Sequence, residues 1–488
     1  MFRGCAMLVG LLPLLLLEVG LRLTGIPAAD ELHDPWIGFS SLQPLFELDP
    51  GKSVYRTAPQ RQAFFAEAEF PLKKSPDTFR VFCLGGSTVQ GRPYQPPTAF
   101  SSWLKLSLEA ADPDRNWEVI NCGGVSYASY RLVPILEEVL AYQPDLVIIY
   151  SGHNEFLEHR TYDSIREPGW LGQLGQATAS RLHMAALIRR GWLALRQSGN
   201  STPAETLPTE VSARLDREGG LADYHRDDAW QRHVMGHFQL NIRRLIQLAG
   251  HAGVPLILVN PVEDLRDSPP FKSEFDGSLS ASQLQQCQQL LSDASGEGSQ
   301  RTMAERMELL EQLLQLDPRR ADALYLLGRL AEVDGQASRA SELLIRAKDE
   351  DICPLRMFES MHEQLIQIAR RTGTPLVDAR QGFRDKLRSP IVGSPAMIDH
   401  VHPSLEGQQW IAAWLLEKMV QMDLVQLSPG WDERRQQLQR QQLASLSDIY
   451  FARGQKRLEG LKMWTRGLAG RTDLLIEENR QQHSGDPQ

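Results

Sequence analysis

The sequence predicts an α/β fold: a parallel sheet with helices on both faces, giving three layers. Apolar runs of strand length at 78–84, 117–123, 144–152, 254–261 and 374–379 alternate with stretches of helical periodicity. Each run is apolar throughout rather than at every second residue, as in a strand covered on both faces. The alternation breaks from 277 to 351, where there are only helical stretches, and then resumes. One α/β domain interrupted by a helical insertion accounts for all three observations.

In chain order, residues 1–27 ("MFRGCAMLVGLLPLLLLEVGLRLTGIP") place Arg3 before about a dozen apolar residues from Cys5 to Leu17, followed by Glu18 and Arg22. This predicts a signal-anchor or transmembrane segment. The run is short for a span of ~20 residues, so a full crossing carries Glu18 near one interface. No clear cleavage site follows. The expectation is therefore a retained membrane anchor with the catalytic domain outside the cytoplasm, periplasmic or on the cell surface. Secretion after signal cleavage and a buried amphipathic helix are the alternatives.

Residues 28–75 lack periodicity and read as an extended lead-in. The first part of the α/β domain, 76–276, contains the strand 78–84. A helix over 98–111 follows, with Phe100, Trp103, Leu104, Leu106 and Leu108 at helical spacing. Then come strand 117–123, helix 130–143, strand 144–152, a helix over 238–253 ending at Gly253, and strand 254–261. The second part, 352–425, holds helix 357–373, strand 374–379 and helix 405–421.

The insertion, 277–351, contains a repeat-like unit at 321–351. Leu327-Gly328 lie in its first helix, Gly335 at the turn, and Ala340, Leu344 and Ala347 on one face of the second. This resembles a tetratricopeptide (TPR) repeat, whose small residues let two helices pack closely. A plain helical hairpin is the alternative. Helix 302–316 reads as the tail of a preceding unit. The helical C-terminal extension, 426–488, repeats the register more faintly at Leu446, Tyr450 and Gly454.

Composition excludes several functions. Of the 488 residues 42% are hydrophobic, enough for a sizeable core and unlike a disordered chain. Net charge is -9 with no block of five or more basic residues, so no nucleic-acid partner is expected. The five cysteines, Cys5, Cys83, Cys122, Cys287 and Cys353, show neither C-x-x-C spacing nor histidine partners at zinc-site spacing. Neither a metal nor any other cofactor is predicted.

A serine nucleophile needs a base, a carboxylate to orient that base, and donors for the oxyanion. Candidates for each lie at predicted strand ends, where an open parallel sheet places its ligands. Ser87 follows strand 78–84 in "GGST"; alone, it reads as a helix cap. Asp399 and His402 in "IDHVHP" form an Asp-x-x-His pair whose carboxylate can reach Nδ1, leaving Nε2 for a serine. His400 is a rival base, but Asp399 is its direct neighbour, an awkward place from which to orient it. Asn154 in "GHNE" offers a side-chain amide, with a helix cap as the plain alternative. The loop "NCGGVSYAS" after 117–123 offers a backbone N–H, from Ser126 or from Gly124.

Taken in order, "GGST", the glycine loop, "GHNE" and "DHVH" resemble the four blocks of the SGNH (GDSL-type) hydrolase family, over about 76–265 and 352–425. The resemblance implies a flavodoxin-like hydrolase domain. It implies Ser87 as nucleophile and, through its own N–H, part of the oxyanion hole, with Asn154 as side-chain donor. His402 would then be the general base and Asp399 its orienting carboxylate. This chain departs from the family in reading Gly-Gly-Ser for Gly-Asp-Ser and Gly-His-Asn-Glu for Gly-x-Asn-Asp. The family's oxyanion glycine falls at Ser126 by count, slightly ahead of Gly124. The whole chain resembles membrane-anchored bacterial SGNH proteins with tetratricopeptide-like helices.

The expected function is an extracytoplasmic serine esterase. It would remove an acyl group, such as acetyl, from a small molecule, glycan or lipid through an acyl-enzyme on Ser87. An O-acyltransferase using the same triad is the alternative. A third is a non-catalytic scaffold that binds a protein partner through its helices.

Overall fold

The computed structural model describes residues 43–158, 211, 213–295 and 301–468, with Gly20 before them. The predicted anchor at 1–27 otherwise lies outside the described residues, as do 28–42 of the lead-in and 469–488. The chain divides into two compact units, Met1–Gln43 with Arg160–Thr209, and Pro44–His159 with Glu210–Gln488. The second unit holds every element named below. Among the described residues no helix is long and apolar enough to cross a membrane.

The lead-in departs from the extended segment expected of it. Strands β1 (Phe46–Asp49), β2 (Val54–Thr57) and β3 (Glu69–Pro71) form an antiparallel sheet. Three or four residues per strand are too few to display a period of two, so no alternation marks them. Aromatic packing holds them instead. Phe46, Tyr55 and Phe70 cluster with Tyr142, and Phe46 and Phe70 also meet Phe82 of the main sheet. The Glu138 carboxylate accepts the Leu45 and Phe46 amides at 2.6 and 2.8 Å, pinning the first strand.

The main sheet has strands β4 (Thr78–Gly85), β5 (Asn116–Gly123), β6 (Leu146–Tyr150), β7 (Leu256–Asn260) and β8 (Leu376–Asp378), all parallel in the order β5-β4-β6-β7-β8. This is the flavodoxin-like order, with its switch point between β4 and β6. Helices connect the strands: α1 (Ser87–Gln90), α2 (Phe100–Ala111), α3 (Ser129–Leu140) and α4 (Asp228–His251). Val81, Phe82, Cys83 and Leu84 are fully buried, as a strand covered on both faces requires.

Four helices fill the insertion: α5 (Ala281–Ser295), α6 (Met303–Leu316), α7 (Ala321–Val333) and α8 (Ala337–Asp349). No strand occurs among its described residues. Gly328 lets α7 and α8 approach, since a Cβ there would lie 2.9 Å from Leu344 Cγ. The insertion's apolar core, including Cys287, Leu310, Leu324, Leu327 and Leu344, also takes in Leu265 and Ile391 of the α/β domain. Arg266 adds an ion pair to Glu332 at 2.7 Å.

The chain then returns through α9 (Glu359–Thr372), α10 (Ala379–Leu387) and α11 (Leu405–Gln421). Helices α2 and α11 pack on one face of the sheet, and α3, α4 and α9 lie together on the other, giving three layers. Phe100, Trp103, Leu104, Ile411 and Leu415 share one core with Val81, Ile148 and Val259 of the strands.

The C-terminal helices α12 (Trp431–Ala444) and α13 (Asp448–Thr465) do not repeat the packing of α7 and α8. Gly454, in register with a repeat by sequence, meets Tyr94 instead: a Cβ there would lie 2.2 Å from the ring. The small residue is needed for an approach to the loop after α1, and sequence register alone could not reveal that partner.

Candidate active site

Strand β4 ends in two glycines with different tasks. A Cβ on Gly85 would lie 2.1 Å from the Tyr150 carbonyl, so glycine allows β4 and β6 to close at the switch point. Gly86 takes the N-cap position of α1, which puts Ser87 in the first helical turn. The Ser87 hydroxyl is not the capping group, since Gly86 occupies that position. It lies instead 2.7 Å from His402 Nε2.

His402 stands on the turn before α11. Its Nδ1 is 2.7 and 2.9 Å from the two Asp399 carboxylate oxygens. A carboxylate only accepts, so Nδ1 carries the proton and Nε2 accepts from the serine hydroxyl. Asp399 Oδ1 also takes the amides of Val401 and His402, both at 2.9 Å, which closes the turn. Burial alone would raise the Asp399 carboxyl. The adjoining His402, through charge and hydrogen bond, instead holds it well below the usual carboxylate range. Asp399 and His402 are 5% and 3% exposed, whereas Ser87 is half-buried and faces a cavity.

Two further residues fix α1 against the histidine turn. Thr88 Oγ1 donates to the Val401 carbonyl at 3.2 Å. Buried Gln408 donates to the Thr88 carbonyl at 3.3 Å and accepts the Phe100 amide at 2.9 Å. The rival, His400, keeps Nδ1 3.7 Å from Asp399, beyond a hydrogen bond, and burial lowers its pKa to about 4.

Asn154 follows β6. Its Nδ2 donates one proton to the Tyr127 carbonyl at 3.0 Å, which aims the second toward the space beside Ser87. The preceding His153 is buried and fixes this loop. Its Nδ1 accepts the Met357 amide at 3.2 Å and Nε2 donates to the Val262 carbonyl at 3.1 Å. Glu155 is turned away and accepts the Ser129 amide and hydroxyl at 2.7 and 2.9 Å, at the start of α3.

The two candidates for the backbone donor separate. The Gly124 N–H donates to the Gly85 carbonyl at 2.9 Å, extending the strand pairing, so it is spent. Sequence could not show this, because the pairing continues one residue past β5. Ser126, with φ 63°, has an unengaged N–H and lines the same cavity as Ser87, Asn154 and His402.

That cavity has a volume of about 310 Å³. Its walls include residues that no sequence motif pointed to. Helix α13 supplies Arg457, Gly460, Leu461 and Trp464, at i, i+3, i+4 and i+7 on one face. Arg92 and Pro93 come from the loop after α1, and Leu157, Asp216, Leu355 and His400 are also on the wall. The helical spacing of 457, 460, 461 and 464 was the available signal, but nothing local says what that face covers. Among the described residues no group of three or more histidine, cysteine or acidic side chains gathers to hold a metal ion.

Fold and site together define a doubly wound α/β protein with a Ser–His–Asp chain at its switch point. No protein-family model and no curated protein matches this sequence. Among solved structures the chain is similar to an acetylxylan esterase from Geobacillus stearothermophilus, with 14% identity, 70% of this chain and 94% of that one covered, and a TM-score of 0.32. It is also similar to an alpha/beta hydrolase enzyme from the metagenome of Lake Arreo, with 13% identity, 70% and 95% covered, and a TM-score of 0.31. A GDSL-like lipase from Bacteroides thetaiotaomicron shows 12% identity, 70% and 88% covered, and a TM-score of 0.28. Likenesses this distant carry nothing about chemistry, which rests on the side chains described above.

Proposed function

We propose that the chain is a serine esterase of SGNH type that cleaves an ester through an acyl-enzyme on Ser87. The observation that carries this is the continuous hydrogen-bond chain from Ser87 Oγ to His402 to Asp399. His402 Nε2 takes the hydroxyl proton as Oγ attacks the ester carbonyl, and Asp399 stabilises the imidazolium that forms. Asn154 Nδ2 and the amides of Ser87 and Ser126 receive the oxyanion. His402 then gives its proton to the leaving alcohol, and water, activated in the same way, releases the acid. Asp399, His402 and Asn154 are all held in place by hydrogen bonds, which speaks against a decayed, purely scaffolding role.

Helix α13 lays Leu461 and Trp464 over the cavity, an apolar cover that would favour a sugar hydroxyl over water as acyl acceptor. Acyl transfer is therefore the second reading. The apolar run at 5–17 supports an anchored, extracytoplasmic enzyme, and the paired helices α7 and α8 would suit a protein partner. The deciding experiment labels the full chain with a fluorophosphonate. Wild type is expected to react and Ser87→Ala to stay unlabelled; equal labelling of both overturns the assignment. Release of acetate in water, set against transfer to an added glycan, separates the two reactions.

A further inference from the structure

The cavity beside Ser87 carries a charge pattern that ester cleavage does not call for. Arg92 and Arg457 both line it, one from the loop after α1 and the other from α13. Among the described residues no carboxylate lies within ion-pair distance of either. Arg92 Nε donates to Gln90 Oε1 at 2.7 Å, and Gln90 is itself held by the Phe64 carbonyl at 2.8 Å. Arg457 Nη1 reaches the carbonyls of Pro93 and Tyr94 at 3.2 and 3.4 Å. Neutral partners thus fix both guanidiniums and leave their remaining N–H groups uncommitted.

The other ionisable groups on the wall offset only part of this charge. Asp216 brings a single negative charge, its oxygens taken by Trp464 Nε1 at 2.8 Å and the Ala213 amide at 2.9 Å and beyond ion-pair distance of both arginines, so the wall keeps a net positive charge. His400 is held neutral by burial. Burial first, and then the Arg457 charge, lowers the Arg92 pKa, so the two cations feel one another. Two like charges in a partly desolvated cleft are costly unless an anion joins them.

The contacts that place Arg457 are specific. Tyr450 stacks on Tyr94 with ring centroids 6.0 Å apart, and its hydroxyl bonds Gln95 and Thr98. Gly454 seats against the Tyr94 ring one turn later. These contacts set the register of α13 so that residue 457 arrives opposite Arg92.

Resting on the esterase reading, we infer that the cavity takes an ester bearing an anionic group, whose carboxylate or phosphate oxygens sit between Arg92 and Arg457. Guanidinium forks suit both anions.

The test measures kcat/KM of the full chain on two matched pairs: O-acetylated glucuronic acid against O-acetylated glucose, and acetylglycerol phosphate against monoacetylglycerol. The anionic member of at least one pair is expected to lead by about 10- to 100-fold, the scale of one charge-assisted hydrogen bond. The pair that shows the lead identifies the anion as carboxylate or phosphate. The ratio should fall toward one in Arg457→Gln and in Arg92→Gln, survive largely in Arg457→Lys, and shrink in wild type at about 0.5 M salt. The wild-type salt series needs no variant to fold. If p-nitrophenyl acetate is hydrolysed and both ratios stay near one, the anion inference falls and the esterase reading stands. If no ester is cleaved and Ser87 is not labelled, both fall.

Discussion

Gly86 and Asn154 compete for one space: a Cβ on Gly86 would lie 2.5 Å from Asn154 Nδ2. The amide therefore rests directly on the bare backbone before Ser87, while its other hydrogen bond goes to the Tyr127 carbonyl. The departure from Gly-Asp-Ser at this position thus has a local cause in this chain.

Gly86→Asp should accordingly act as an oxyanion-hole mutation. Displacing the amide is expected to lower kcat by about 10²-fold with KM little changed, and Asn154→Ala by about 10²–10³-fold. Steady-state kinetics on a short-chain aryl ester checks both. An unchanged kcat in Asn154→Ala would remove Asn154 from the hole.

The proposed triad makes a sharper demand on tautomer than on charge. Asp399→Asn can keep the turn's shape yet present an amide N–H to His402 Nδ1, which favours the tautomer that cannot accept from Ser87. The expected loss in kcat is about 10³–10⁴-fold, smaller than the loss of about 10⁶-fold expected for Ser87→Ala. Burst kinetics with p-nitrophenyl acetate should show no acyl-enzyme in either variant. A full burst in Asp399→Asn would assign the base elsewhere.

Sequence patterning revealed much of this architecture, and its failures share a cause. The strands of the main sheet were legible because each is apolar along its whole length, which burial on both faces imposes. The Ser87–His402–Asp399 chain was legible because Ser87 closely follows β4 and Asp399 and His402 share one short turn, at the spacing their hydrogen bond needs. Gly124 stayed open beside Ser126 because only its bond to the Gly85 carbonyl, a long-range fact, removes it as a donor. Strands β1–β3 were hidden by their brevity. Arg92 and Arg457 lie 365 positions apart in the chain and line one cavity, on a face of α13 seated by the close approach of Gly454 to Tyr94. No local pattern encodes that meeting.

Close helix packing in the insertion predicts a stability effect remote from the chemistry. Gly328→Leu would force a side chain into Leu343 and Leu344, and overpacking of this kind costs about 1–3 kcal/mol. Hydrogen exchange should quicken in α7 and α8 while fluorophosphonate labelling of Ser87 persists. Uniform loss of protection across β4–β8 would mean that the insertion and the α/β domain unfold as one.

His153 predicts a pH dependence whose sign can be worked out. Burial lowers its pKa to about 3, with Glu263 opposing that shift and the neighbouring His362 and His400 reinforcing it. The unfolded chain protonates this histidine near pH 6.5. Between those values the unfolded state binds more protons, so its contribution to stability is present above pH 6.5 and is lost as pH falls. His153→Gln should be less stable than wild type at pH 7, because the bonds to Met357 and Val262 are disturbed. On acidification to about pH 4.5 the gap should narrow by about 2–3 kcal/mol, since only wild type bears the protonation penalty. Asp264 and Asp351, raised by burial to about 6 and about 7, titrate in the same window but contribute to both proteins and drop out of the difference. Urea denaturation of both proteins at the two pH values measures the gap. A gap that stays constant would mean that His153 takes up its proton in the folded state as readily as in the unfolded one, and that the Asn154 loop does not depend on a neutral imidazole.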